Sequence, residues 1–292
     1  MELNEDITFE LQELKTDEVI SNNVIDKLSR LLVDAVDERV NDKVGIAFSG
    51  GIDSTLIAYI CDKLDRDFTL YTVGFADSKD VLAAQTVADA MDWPIVVKII
   101  TLDEVEKIAK KVIQITGKKD PVGVGVGFVT YCVLEIMKED VLLTGLGSEE
   151  IFAGYERHQK GIDVNAKCWE GMLNIWERDI VRDVKLAEYF EKSIRLPFMD
   201  KELIEFGMKI DPKLKIGEQK KQILREAAVN LGLKKEYAFR KKSAAQYGSK
   251  LDEALARNAG IMCFGDFFDA MQSKLDRRHN KADLRDDLKV AN

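Results

Sequence analysis

Apolar and polar positions along the first half of the chain follow two rhythms. Between residues 20 and 40, Val24, Leu28, Leu31, Leu32 and Val36 recur at helical spacing and predict an amphipathic helix. From residue 44, short apolar runs take turns with such stripes. Val44–Ser49 reads as a strand, Ser54–Leu64 as a helix and Phe68–Gly74 as a second strand. Val81, Ala84, Ala88 and Met91 place one apolar face on a helix. Pro94 interrupts, and the β-branched run Ile95–Ile100 reads as a strand. Val105, Ile108, Ala109, Val112 and Ile113 form another helical stripe, and a helix around Phe128–Met137 leads into a strand at Val141–Thr144. Strands alternating with helices in this way imply an α/β fold, a parallel sheet with helices on both faces.

From about Glu149 the pattern turns helical. Trp169, Met172, Leu173, Trp176 and Ile180 mark one long helix; Leu203, Ile204 and Met208, then Lys220–Leu231, mark two more. The expected organisation is an N-terminal helical segment over 1–42, one domain over 43–272 (sheet in 43–148, helical part in 149–272), and a densely charged tail over 273–292. No Pro/Gly linker separates sheet from helical part, so the two are expected to pack together.

Composition narrows the class. An apolar share of 46% and a charged share of 33% are those of a globular protein. No stretch approaches the ~20 apolar residues of a membrane span. The acidic N-terminus lacks the order of a signal peptide, so a cytoplasmic location is the expectation. Net charge is −9, and basic residues mostly alternate with acidic ones, which argues against a nucleic-acid surface. Cys61, Cys132, Cys168 and Cys263 lie far apart with no C-x-x-C, so they read as ordinary reduced thiols, mostly buried. His158 and His279 are the only histidines, too few for a multi-histidine metal site.

The strongest chemical signal is the turn Ser49-Gly50-Gly51 between a strand and a helix, in "VGIAFSGGIDSTLIAYI". In a parallel sheet that place is a strand's carboxyl end, where ligands bind. Glycines allow a tight turn and close approach, and the following helix N-terminus favours an anion such as phosphate. The Walker A lysine and the G-x-G-x-x-G fingerprint are both absent. The loop carries an acid, Asp53, instead. A carboxylate beside phosphates requires a cation between them, which points to Mg²⁺. The competing reading is a structural turn with Asp53 and Ser54 capping a helix.

Further motifs in order along the chain favour the ligand-binding reading. S-G-G-I-D-S resembles the pyrophosphate loop of N-type ATP pyrophosphatases. "LLTGLGSEEIFAGY" (Leu142–Tyr155), "IRLPFMDKELIEFGMKI" (Ile194–Ile210), "KKQILREAA" (Lys220–Ala228) and "RKK" (Arg240–Lys242) resemble successive signatures of the asparagine synthetase family. The resemblance covers roughly Lys43 to Ser249 and implies the family's ATP pyrophosphatase fold, ATP with Mg²⁺, and a reaction class. A carboxylate attacks the α-phosphorus of ATP, giving an acyl-adenylate and pyrophosphate, and a nitrogen nucleophile then displaces AMP. Carried over position by position, it implies that Ser49, Gly50, Gly51 and Ser54 hold pyrophosphate. Val73 would lie beside adenine, with Thr144, Gly145 and Ser148 near the ribose and adenylate. Asp53 with Glu149 and Glu150 would converge on Mg²⁺, and Lys242 would stabilise the phosphates in the transition state. Asp53, Glu150 and Lys242 are the candidate catalytic residues.

Three departures bear on function. The residues before Val44 are too few for the family's glutaminase domain, so nitrogen is expected as free ammonia, as another amine, or from a separate glutaminase protein. Leu146 stands where the family has a glutamate with a catalytic role. Leucine accepts no proton, so a base must come from elsewhere, for example Glu150, Tyr155 or Glu156; adenylation is untouched, while asparagine formation is put in question. "DPVGVGVGFVTY", where the family shapes its amino-acid pocket, reads as a tight buried loop or strand entering a helix, or else as a pocket opened for a larger substrate. Two alternatives stand beside the ligase: a tRNA-modifying enzyme using the same loop, and a non-catalytic ATP-binding protein.

Overall fold

A computed structural model of the protein describes residues 7–76, 78–159 and 163–240. The candidate Lys242, the charged tail, Cys263 and His279 lie outside the described residues. Five strands, β1 (Val44–Ala47), β2 (Phe68–Gly74), β3 (Ile95–Ile99), β4 (Val141–Leu143) and β5 (Ser193–Arg195), form a parallel sheet in the order β3-β2-β1-β4-β5. Two helices, α1 (Ile7–Glu13) and α2 (Val24–Asp37), precede the sheet. The crossovers to β4 are α3 (Ile52–Lys63), α4 (Lys79–Met91), α5 (Leu102–Thr116) and α6 (Pro121–Ile136). Before β5 come α7 (Ser148–Ile151), α8 (Glu156–Gln159), α9 (Val164–Leu173) and α10 (Val181–Tyr189). After it come α11 (Lys201–Lys209), α12 (Pro212–Lys215), α13 (Gln222–Leu231) and α14 (Lys235–Ala238). This is the α/β class that the alternation implied.

The apolar pattern explains the layering. Every residue of β2 is buried, as expected of a central strand covered on both faces. At the sheet edge, β3 leaves Val96 and Ile99 exposed. The buried stripe of α2, including Leu28, Leu32, Ala35 and Val36, joins the same core as the sheet. Among the described residues, no helix is long and apolar enough to cross a membrane. Cys61, Cys132 and Cys168 are buried free thiols, and burial pushes the thiols of Cys61 and Cys132 up to about 12.

Three expectations are corrected. The glycine run is neither a loop nor a strand: Asp120 caps α6 by accepting from the Gly123 N–H at 2.7 Å, and Pro121 starts the helix. Gly127 has a packing reason, since a Cβ there would lie 2.9 Å from Val112 and 3.1 Å from Arg182. The long helix around Trp169–Ile180 is interrupted by a π-turn at Trp176–Ile180, between α9 and α10. The sheet does not end by residue 148, because β5 adds a fifth strand beside β4, pairing Ile194 with Leu142.

Candidate active site

Neighbouring strands β1 and β4 lie where the strand order reverses, and the loops after them face each other across that point. Such switch points are where open α/β sheets bind ligands. The chain leaves β1 and turns at Ser49–Gly51 into α3. Gly50 has φ 61, and a Cβ there would press on the Ala83 carbonyl at 3.0 Å, so the turn requires glycine. The loop is knitted by its serines. The Ser49 N–H donates to Ser54 Oγ at 3.3 Å, and the Gly51 N–H donates to Ser49 Oγ at 3.4 Å. From the far end of the described chain, the Arg240 guanidinium donates to the carbonyls of Gly50 at 2.7 Å and Ser49 at 3.0 Å. Those contacts fix the loop's carbonyls beside the N-terminus of α3, the helix end that favours an anion.

Asp53, in the first turn of α3, and Glu149, in the first turn of α7, are brought together. They meet on a residue that was not among the sequence candidates. Lys221 Nζ lies 2.8 Å from both oxygens of Asp53, 2.8 Å from Glu149 Oε1 and 2.9 Å from Ser148 Oγ. The ammonium belongs to a residue only 3% exposed, and Asp53 is 8% exposed. Burial alone would lower the Lys221 pKa, but the Asp53 and Glu149 carboxylates raise it above its ordinary value. Two glycines clear the space. A Cβ at Gly145 would lie 2.8 Å from Asp53 Cβ, and one at Gly154 would lie 1.7 Å from Glu149 Oε2 and 2.4 Å from Lys221 Cε. Lys221 takes a left-handed backbone, φ 57 and ψ 39, just before α13. A sequence signal existed: a lysine at a helix N-terminus opposes the helix dipole and so calls for a reason.

Glu150 does not join this group. Its side chain is fully buried in a second cluster, where Oε1 accepts from the Tyr155 hydroxyl at 2.7 Å and from Arg178, and Oε2 has no hydrogen-bond partner. Arg178, on the π-turn, also pairs with Asp179. Burial and the Glu150 charge raise the Tyr155 pKa, so its phenol stays protonated and donates. Nearby, burial and then Arg157 push the His158 imidazole down to about 4, and burial pushes the Lys215 ammonium down to about 8.

The remaining candidates surround the switch point. Val73 is buried at the end of β2, and Thr144 and Gly145 follow β4. Leu146, half-buried, packs on the core, and its N–H donates to Thr144 Oγ1 at 3.4 Å. Arg225 ties the two basic segments together, donating to the carbonyls of Lys220 at 2.8 Å and Ala238 at 2.6 Å. At α13's other end, the Leu231 carbonyl accepts from Tyr59 at 3.3 Å and Lys63 at 2.8 Å, both on α3.

The donor set suits a metal that arrives with phosphate. Among the described residues, no group of three or more His, Cys, Asp or Glu side chains could hold a metal ion. Asp53 and Glu149 supply two carboxylates, the number Mg²⁺ takes when phosphate oxygens complete its shell.

The asparagine synthase family model matches residues 27–170 and 163–270. A Methanocaldococcus jannaschii protein assigned as a glutamine-hydrolysing asparagine synthetase is 29% identical over 296 residues, covering 85% of this chain and 54% of that one. A Schizosaccharomyces pombe protein of the same assignment is 30% identical over 238 residues, covering 71% and 43%. The chain thus spans about half the length of these relatives. Among solved structures, the NMN synthetase of Francisella tularensis superposes with a TM-score of 0.41 at 15% identity, covering 86% of this chain and 85% of that one, a likeness too loose to bear on function.

Proposed function

We propose that this chain, which belongs to the asparagine synthase family, is an ATP-dependent ligase. It transfers AMP to a carboxylate, releases pyrophosphate, and passes the acyl group to ammonia or an amine. The observation supporting this most directly is the meeting of Asp53 and Glu149 beside the Ser49–Gly51 loop.

The pyrophosphate would be held by the loop N–H groups with Ser49 and Ser54, and the nucleoside by Val73, Thr144, Gly145 and Ser148. Asp53 and Glu149 would hold Mg²⁺, which supplies positive charge against that growing on the leaving pyrophosphate. Lys242, which matches the family's lysine, would act as a compact charge near the phosphates. The attacking nitrogen must lose a proton. Leu146 cannot take it, and we assign the acceptor to Glu150, whose Oε2 is buried without a partner.

The test is acid-dependent exchange of labelled pyrophosphate into ATP. A panel of carboxylic acids with Mg²⁺ should reveal one that supports exchange, and Asp53→Ala should cut it by at least about 10²-fold. Absence of exchange with every acid overturns the ligase. Leu146 favours one other reading, a nucleotide-binding protein without catalysis; calorimetry showing Mg·ATP binding with no pyrophosphate release identifies it.

A further inference from the structure

The Asp53–Glu149 pair already has its cation. Four acceptor atoms, both Asp53 oxygens, Ser148 Oγ and Glu149 Oε1, lie 2.8–2.9 Å from the Lys221 nitrogen. The ammonium has three N–H donors for these four acceptors, and its contacts with the carboxylates are charge-assisted. The surroundings are built for them, since Gly145 and Gly154 make room and Lys221 takes a backbone conformation that lysine rarely adopts. The nitrogen occupies the space between the carboxylates that a shared ion would fill. Mg²⁺ binds oxygens at about 2.0–2.1 Å, so it and the ammonium cannot sit between the same oxygens together.

We propose that Lys221 is a resident counter-ion, so that the free protein takes up a divalent metal at Asp53 and Glu149 only together with a polyphosphate, onto whose oxygens the ammonium moves. The inference rests on the reading that this site uses Mg²⁺ with ATP. Lysine suits an exchange of this kind because its ammonium is a point charge on a flexible stem, with no planar geometry to lose. The metal then enters as its nucleotide complex, and metal alone does not load the site.

The test uses Mn²⁺ as probe, followed by electron paramagnetic resonance on the whole chain without nucleotide. The unmodified protein should leave Mn²⁺ free, whereas Lys221→Met should bind it at least about tenfold more tightly, a change of ~1.4 kcal/mol. Adding Asp53→Asn to that variant should abolish the gain. A folded Lys221→Met that binds Mn²⁺ no better than the unmodified protein overturns the proposal. If the variant does not fold, hydrogen exchange on the unmodified protein decides. Amides in the first turn of α13 should be unaffected by Mg²⁺ alone and altered by Mg²⁺ with ATP; a response to Mg²⁺ alone overturns it. Failure of pyrophosphate exchange, with the Mn²⁺ gain present, removes the ligase reading and leaves this inference standing.

Discussion

Glu149 and Glu150 are neighbours in sequence with opposite surroundings. Glu149 is partly exposed and shares the ammonium of a lysine from a distant segment with Asp53. Glu150 is fully buried and held by nearer residues, Tyr155 and Arg178. A short helix start turns one carboxylate toward Asp53 beside the Ser49–Gly51 loop and the next into the helical layer. The lesson is that an acidic pair in a motif is not one functional unit. In the ligase reading, the first acid serves the phosphates and the second serves the nitrogen.

The sharpest way to break this comparison is to strand Glu150. Arg178→Leu leaves a buried carboxylate with only a phenol for partner and should cost about 3 kcal/mol in denaturant unfolding. Glu150→Gln removes the charge, should keep pyrophosphate exchange and should lose amide formation; loss of both together would merge the two clusters into one. Next in size is Gly154→Ala, whose methyl collides with Glu149 and Lys221. A displacement of that kind should cut exchange about 10²-fold while Glu150's cluster stays intact. Smaller again, Leu146→Glu should leave exchange within a few-fold and raise amide product with ammonia, measured by product chromatography.

A pH dependence lies beside Glu150's cluster. His158 is held neutral, with its pKa lowered to about 4 from 6.5. Its folded form binds a proton less readily than the unfolded chain, so its contribution is fully present above pH 6.5 and lost as pH falls toward 4. Replacing it with phenylalanine should flatten the fall in melting temperature over that window, as read by calorimetry at a series of pH values.

Much of the sheet was legible because its central strands announce themselves. The run of β2 is apolar enough to be read without context, and the glycine turn after β1 marks the ligand end. Four things were hidden. β5 is a three-residue strand, Ser193–Arg195, too short to show a period, and it exists because β4 offers it a backbone edge. The glycines of α6 suggested a loop by propensity, which the Asp120 cap and close packing override. At the site, pattern and resemblance pointed to Asp53 and Glu149, but they could not assign Glu150 to a different cluster, because one residue's step on a helix redirects a side chain by about 100°. Lys221 lies inside the Lys220–Ala228 motif, but its role depends on carboxylates supplied by remote segments.

That remoteness has a consequence for how the molecule is made. Asp53 and Lys221 are 168 residues apart in sequence. Contacts of such separation form only after a large closure of the chain. During synthesis, strands β1 and β4 are both made before the lysine emerges, and until α13 docks the two acids lack the Lys221 ammonium. The contact of Asp53 and Glu149 with Lys221 is therefore among the last in the protein to form, and truncation before α13 should remove that ammonium from both acids.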